Sequence, residues 1–91
     1  MADIQVKRNH KLGLEEARRA AEEIAENLKE RLQTAYHWDG EHLRFKRSGA
    51  EGYLWVTEDI IEITITLGLM FKPMRGLIEG KVVEFLDRKL E

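Results

Sequence analysis

Residues 60–67 read Ile60-Ile61-Glu62-Ile63-Thr64-Ile65-Thr66-Leu67. Apolar and polar side chains alternate, and most are β-branched; in a strand, successive side chains point to opposite faces of a sheet. The octet therefore predicts a strand that sets Ile61, Ile63, Ile65 and Leu67 against a core and turns Glu62, Thr64 and Thr66 away. It runs directly into a helix-like segment, so a small sheet covered by helices is the expectation from this stretch outward.

Upstream, residues 35–59 read as the rest of an antiparallel meander. Asp39-Gly40 suits the centre of a type I′ turn, where both residues need positive φ. That turn places Trp38 opposite Glu41, His37 opposite His42 and Tyr36 opposite Leu43. Ser48-Gly49-Ala50-Glu51 is the next turn, with Gly49 at the first central position, and it sets Phe45 opposite Leu54 and Leu43 opposite Val56. Glu58-Asp59 closes the last hairpin, with Val56 opposite Ile61 and Leu54 opposite Ile63. The three registers collect Tyr36, Leu43, Phe45, Leu54, Val56, Ile61 and Ile63 on one face. A slip of one residue would scatter that set.

Leu14, Ala17, Ala21, Ile24, Leu28 and Leu32 recur at helical spacing and predict a helix from Leu14 to about Gln33. Gly13 is its candidate N-cap, and Glu15 and Glu16 sit at the positive end of the helix dipole. The pairs Glu15–Arg19 and Glu26–Lys29 fall on its solvent side. A second helix is predicted from Leu69 to Leu90, with Phe71, Met74, Ile78, Val82, Phe85 and Lys89 in register, Leu77 and Leu86 beside them, and Pro73 in the first turn. Gly76 and Gly80 each cost about 1 kcal/mol relative to alanine in a helix, which points to a close approach there by the first helix or the sheet. Ile4 and Val6 alternate with polar residues, so Asp3–Arg8 is a strand, placed beside the last one. The fold class is α+β, in the order β-α-β-β-β-β-α. One domain, residues 1–91, carries an antiparallel sheet with both helices on one face and the other face open.

A chain of 91 residues holds one core and little room for a sizeable ligand cavity. It has no cysteine, hence no disulfide framework or thiolate chemistry, which fits a reducing compartment. No apolar run resembles a secretion signal or reaches the ~18–20 residues that span a bilayer, so a cytoplasmic protein is expected. The net charge of −2 is spread as +2 over residues 1–13, −2 over 14–33, −2 over 34–59 and 0 over 60–91. With no basic half to hold phosphates, nucleic acid is not an expected partner.

The open face would present His37, His42, Arg44, Lys46, Tyr53, Trp55, Thr57, Glu62 and Thr64. Arg44 is expected across from Trp55 and Lys46 across from Tyr53, a spacing suited to cation–π contacts of ~0.5–1 kcal/mol. One reading is an amphipathic binding platform; the bland one is a solvated face whose rings are shielded by basic neighbours. Single-stranded RNA would stack on such rings, but the glycine-aromatic RNA signature is missing. His37 and His42, expected opposite each other, lack the third ligand of a usual zinc site, so no metal and no cofactor are expected.

Arg47 falls on the core side at a strand end, where it must snorkel or find a carboxylate; with Ser48 and the Gly49 amide it could instead form an anion site. Ser48 is the single serine, no nucleophile elbow surrounds it, and catalysis is not expected. From Leu67 to Met74, five large apolar residues crowd a strand-to-helix corner. Met70 and Phe71 could form a sticky surface there, or fold in as a helix-start staple.

Several short pieces run in a recognisable order: His10-x-Leu12-Gly13-Leu14-x-Glu16-Ala17-Arg18, then Phe45-Lys46-Arg47-Ser48-Gly49-x-x-Gly52-x-Leu54-x-Val56. They continue through Asp59, Glu62 and Leu67-Gly68 to Ile78-Glu79-Gly80 and Leu86-Asp87. In these the chain resembles the small proteins of the polyhydroxyalkanoic acid system, encoded in polyester granule gene regions. The resemblance covers nearly the whole chain. It implies a bacterial cytoplasmic protein linked to the synthesis, use or surface of storage-polyester granules, and it supplies no catalytic residues. The expected function is a non-enzymatic accessory protein that binds the granule surface or granule-associated proteins, with Trp55, Tyr53, Arg44, Lys46, Met70 and Phe71 as contact residues. The alternatives are a homodimer built on the open sheet face and a small acyl-ligand carrier.

Overall fold

A computed structural model describes residues 2–90. The alternating octet is strand β5 (Ile60–Leu67) of a five-stranded antiparallel sheet in the order β1-β5-β4-β3-β2. The remaining elements are β1 (Ile4–Asn9), α1 (Leu14–Leu32), β2 (Ala35–Asp39), β3 (His42–Arg47), β4 (Ala50–Val56) and α2 (Arg75–Lys89). β1 lies beside β5, with Ile4 opposite Ile65 and Val6 opposite Ile63. The architecture is thus the expected α+β fold, β-α-β-β-β-β-α. Helix α1 covers β2, β3 and β4, and α2 lies over β1. Ile61, Ile63, Ile65 and Leu67 are buried, as their parity requires.

The β4–β5 register is as expected, with Val56 opposite Ile61 and Leu54 opposite Ile63. The other two hairpins differ by two residues. Tyr36 pairs with Phe45 and Trp38 with Leu43; Leu43 pairs with Leu54 and Phe45 with Gly52. The first loop is Gly40-Glu41, where Gly40 takes φ 63°, so Asp39 stays in the strand and avoids a positive φ that costs any residue with a Cβ. The second loop is Ser48-Gly49, with φ 93° at Gly49; Ala50 is then a strand residue, buried opposite Leu67. A two-residue shift preserves parity, so the core face keeps its members. Gly52 makes room for the Phe45 ring. A Cβ there would stand 2.9 Å from that ring, 3.0 Å from Ile65 Cα and against the Thr64 carbonyl.

Helix α1 buries Ala17, Ala20, Ala21, Ile24, Ala25, Leu28 and Leu32. Leu14, expected on that face, is exposed at the first position of the helix. Two aromatic residues of β2 clasp the helix. Trp38 Nε1 donates to Glu22 Oε2 at 2.9 Å, and the Arg18 guanidinium lies 4.0 Å from the Trp38 ring centroid. The Tyr36 hydroxyl donates to Glu26, which raises its pKa above the ordinary phenol value. Glu26 thereby serves Tyr36 rather than Lys29, whereas Glu15–Arg19 forms as expected, at 3.6 Å.

Helix α2 starts later than its periodicity indicates. Residues 69–71 turn away from β5, Lys72–Met74 form a 3₁₀ turn carrying Pro73, and the α-helix proper begins at Arg75. It buries Ile78, Val82 and Leu86. Gly76 and Gly80 face open space, with nothing within 4 Å of an added Cβ. The expected close approach is absent because these glycines lie on the solvent side of α2, while its buried side, Ile78, Val82 and Leu86, faces inward.

Two long-range contacts tie the ends together. Asp3 accepts the Leu67 amide at 2.8 Å and Lys72 Nζ at 2.7 Å, and its carbonyl accepts Arg75 Nε at 2.7 Å. The Lys72 hydrogen bond first, then the Leu67 amide, holds its carboxyl below the usual value. His10 is buried between the two connections at the opposite end. Its Nδ1 accepts the Leu12 amide at 3.1 Å, which leaves Nε2 to donate to the Thr57 carbonyl at 3.0 Å.

Candidate interaction surfaces

β3 and β4 bring Arg44, Lys46, Tyr53 and Trp55 onto the open face, as their parity predicts, but in different pairs. Arg44 stands opposite Tyr53, with its guanidinium 5.8 Å from the ring centroid, and its Nε bonds Asp39 at 3.1 Å. Lys46 stands opposite Glu51. The expected Arg44–Trp55 and Lys46–Tyr53 pairs are therefore replaced, a direct result of the two-residue register difference. His37 faces Arg44 and not His42. His42 instead joins the two aromatic rings, stacked on Trp55 at 6.3 Å and edge-on to Tyr53 at 5.2 Å. Tyr53 and Trp55 are half-buried by these neighbours.

A shallow trough of about 450 Å³ runs over this face between Arg44, Tyr53 and Thr64. The Thr64 hydroxyl is buried without a partner among the described residues. Thr57, expected on the same face, uses its hydroxyl locally, accepting the amides of Ile60 at 3.0 Å and Asp59 at 3.3 Å to shape the last turn. Among the described residues no three histidine, aspartate or glutamate side chains converge as a metal ion would need.

The strand-to-helix corner divides its apolar residues sharply. Phe71, offered as a contact residue beside Met70, takes the other expected course and folds into the core, at 8% exposure. Its ring packs 3.5 Å from where a Gly49 Cβ would stand, and the Arg47 guanidinium lies 5.2 Å from the ring centroid. Arg47 Nη1 also donates to the Leu32 carbonyl at 2.9 Å, so this inward-facing arginine finds the end of α1 and not a carboxylate. The Gly68 amide bonds the Gly49 carbonyl at 2.6 Å and locks the corner to the β3–β4 turn. Arg47 and Gly49 thereby seat Phe71, while Ser48 lies exposed in the turn.

What the corner leaves outside is Leu69 at 88% exposure and Met70 at 70%, followed early in α2 by Leu77 at 53%. Met70 is where the sequence places it. Helical spacing sets Leu77 beside the buried stripe, and Leu69 is one of the five apolar residues that crowd the corner; spacing marks neither as exposed. Leu77 directly precedes Ile78, about 100° away around the helix, so with Ile78, Val82 and Leu86 turned in it faces outward.

A family model described as "Putative polyhydroxyalkanoic acid system protein" matches residues 4–90. No curated protein and no solved structure gives a significant match.

Proposed function

The chain belongs to the polyhydroxyalkanoic acid system protein family, and on that premise we propose that it is a non-catalytic accessory protein that contacts the surface of storage-polyester granules in the cytoplasm. The observation that carries this reading is the exposure of Leu69 and Met70, two large apolar side chains left in solvent by a corner whose neighbour Phe71 is packed away, with a third, Leu77, exposed early in α2. A polyester presents alkyl groups and uncharged ester carbonyls. Fully burying a leucine or methionine is worth ~1.5–3 kcal/mol, so Leu69 and Met70 together supply most of a weak, reversible attachment. A non-catalytic role agrees with the state of the two residues best suited to chemistry. His10 has both ring nitrogens engaged by backbone groups, and Ser48 lies at the other end of the sheet. No helix among the described residues is long and apolar enough to cross a membrane, and attachment through an exposed corner requires none.

The test is co-sedimentation of the purified chain with protein-stripped polyester granules. Saturable binding is expected, reduced at least tenfold by Leu69→Asp with Met70→Asp and unchanged by Trp55→Ala. Loss with Trp55→Ala and retention in the corner variant would move the contact to the sheet. Absence of binding to stripped granules, with binding to native ones, would replace the polymer by a granule protein.

A further inference from the structure

Strand β2 forms one edge of the sheet, with only β3 beside it. Which of its backbone groups point outward follows from the ladder. The Val56 amide donates to the Glu41 carbonyl at 2.9 Å, so alternation along the chain turns the groups of His42, Arg44 and Lys46 toward β2. Their partners there are Asp39, His37 and Ala35. The N–H and C=O groups of Tyr36 and Trp38 therefore face outward, and among the described residues no other backbone group meets them. Residues 35–39 pair without a bulge and contain no lysine or proline, three devices by which sheet edges keep a further strand away.

A row of carboxylates flanks that edge. Glu22, Glu26 and Glu30, all exposed, share one face of α1 at four-residue spacing. Trp38 Nε1 donates to Glu22 and the Tyr36 hydroxyl to Glu26, which fixes the row alongside β2. Among the described residues none of the three makes an ion pair, whereas Glu23 is taken by Lys89 at 3.0 Å. The Arg18 guanidinium lies over the Trp38 ring, a turn before Glu22. Carboxylates four residues apart on a helix recur about every 6 Å, and alternate side chains of a strand about every 6.8 Å. A strand laid antiparallel on β2 would thus turn every second side chain toward α1 and against this row. A second copy fits badly, since pairing β2 with itself sets one carboxylate row against the other; charge complementarity selects a basic occupant. We propose that the outer edge of β2 is a docking site for an extended basic segment of a partner protein, added to the sheet as a further strand with alternate lysine or arginine side chains against Glu22, Glu26 and Glu30. The edge shares no residue with Leu69, Met70 and Leu77 and goes beyond the granule contact.

Amide chemical shifts and hydrogen exchange of the full chain, titrated with a blocked heptapeptide of alternating lysine and valine, test this. Saturable binding is expected, with shifts in β2 and the facing stretch of α1 and slowed exchange of the Tyr36 and Trp38 amides. Glu22→Gln with Glu26→Gln keeps an acceptor for Trp38 and for Tyr36 and should weaken the peptide at least tenfold. N-methylation of the peptide at its lysines, whose amides would face β2, should abolish binding, and N-methylation at its valines should leave it unchanged. Binding should also survive Leu69→Asp with Met70→Asp. Absence of saturation, equal binding of a glutamate–valine peptide, or undiminished binding after methylation at the lysines would overturn the proposal. So would slowing of the Tyr36 and Trp38 amides with protein concentration alone, which would assign the edge to a second copy.

Discussion

Alanine at Gly52 and at Gly80 should change stability in opposite directions. At Gly52 the added Cβ would collide with the Thr64 carbonyl, the Phe45 ring and Ile65, an overpacking expected to cost about 1–3 kcal/mol. At Gly80 it meets nothing, and the gain in helix propensity should stabilise by about 1 kcal/mol. Urea midpoints of the two variants decide both signs. Asp3 gives a second residue-scale prediction. Its carboxyl is held below the ordinary value of 3.8 by Lys72 and the Leu67 amide, so the stabilisation is present above that pH and is lost as pH falls below it. Between about pH 5 and about pH 2.5 the wild type should lose more stability than Asp3→Asn; equal losses would show that the contact contributes nothing in solution. Neither Asp3 nor His10 is legible in the sequence. Their partners Leu67 and Thr57 lie 64 and 47 residues away, and a single long-range hydrogen bond leaves no local pattern.

The elements themselves were legible because their periods differ. The alternation in β5 and the alanine-rich stripe of α1 each admit one burial pattern, and both are realised except at Leu14, where α1 begins. Turn glycines were visible as turn markers, but which central position they occupy depends on what packs below. Placing Gly52 beneath the Phe45 ring and burying Ala50 decides the second hairpin, and neither fact is local. The start of α2 is hidden for a similar reason: Leu69 to Phe71 continue the apolar spacing, while the chain first turns back from β5 and the helix begins only at Arg75. Arg47 links three of these elements. Arg47→Met keeps much of the stem beside Phe71 but removes the donor to the Leu32 carbonyl. A loss of about 1–3 kcal/mol is expected, with faster amide exchange in the last turn of α1. A change under a few tenths of a kcal/mol would make Arg47 a surface residue in effect.

At the scale of the molecule, the sequence reveals the layers but not their free surfaces, because exposure is decided by packing across the chain. Met70 and Phe71 are neighbours with similar apolarity, yet Gly49 and Arg47 seat one of them and leave the other in solvent. The open sheet face is largely answered within itself, with Arg44 held by Asp39, Lys46 facing Glu51, and His42 packed on both rings. Sedimentation equilibrium is therefore expected to return the 10.7 kDa monomer; a dimer lost on Tyr53→Ala would assign that face to a second copy. Amide hydrogen exchange of the chain with and without stripped polyester granules tests attachment through the exposed apolar residues Leu69, Met70 and Leu77 most directly. Granule contact through these residues predicts new protection over residues 68–77 and unchanged exchange in β3 and β4. Protection confined to the open sheet face, with residues 68–77 exchanging as in the free protein, would contradict it.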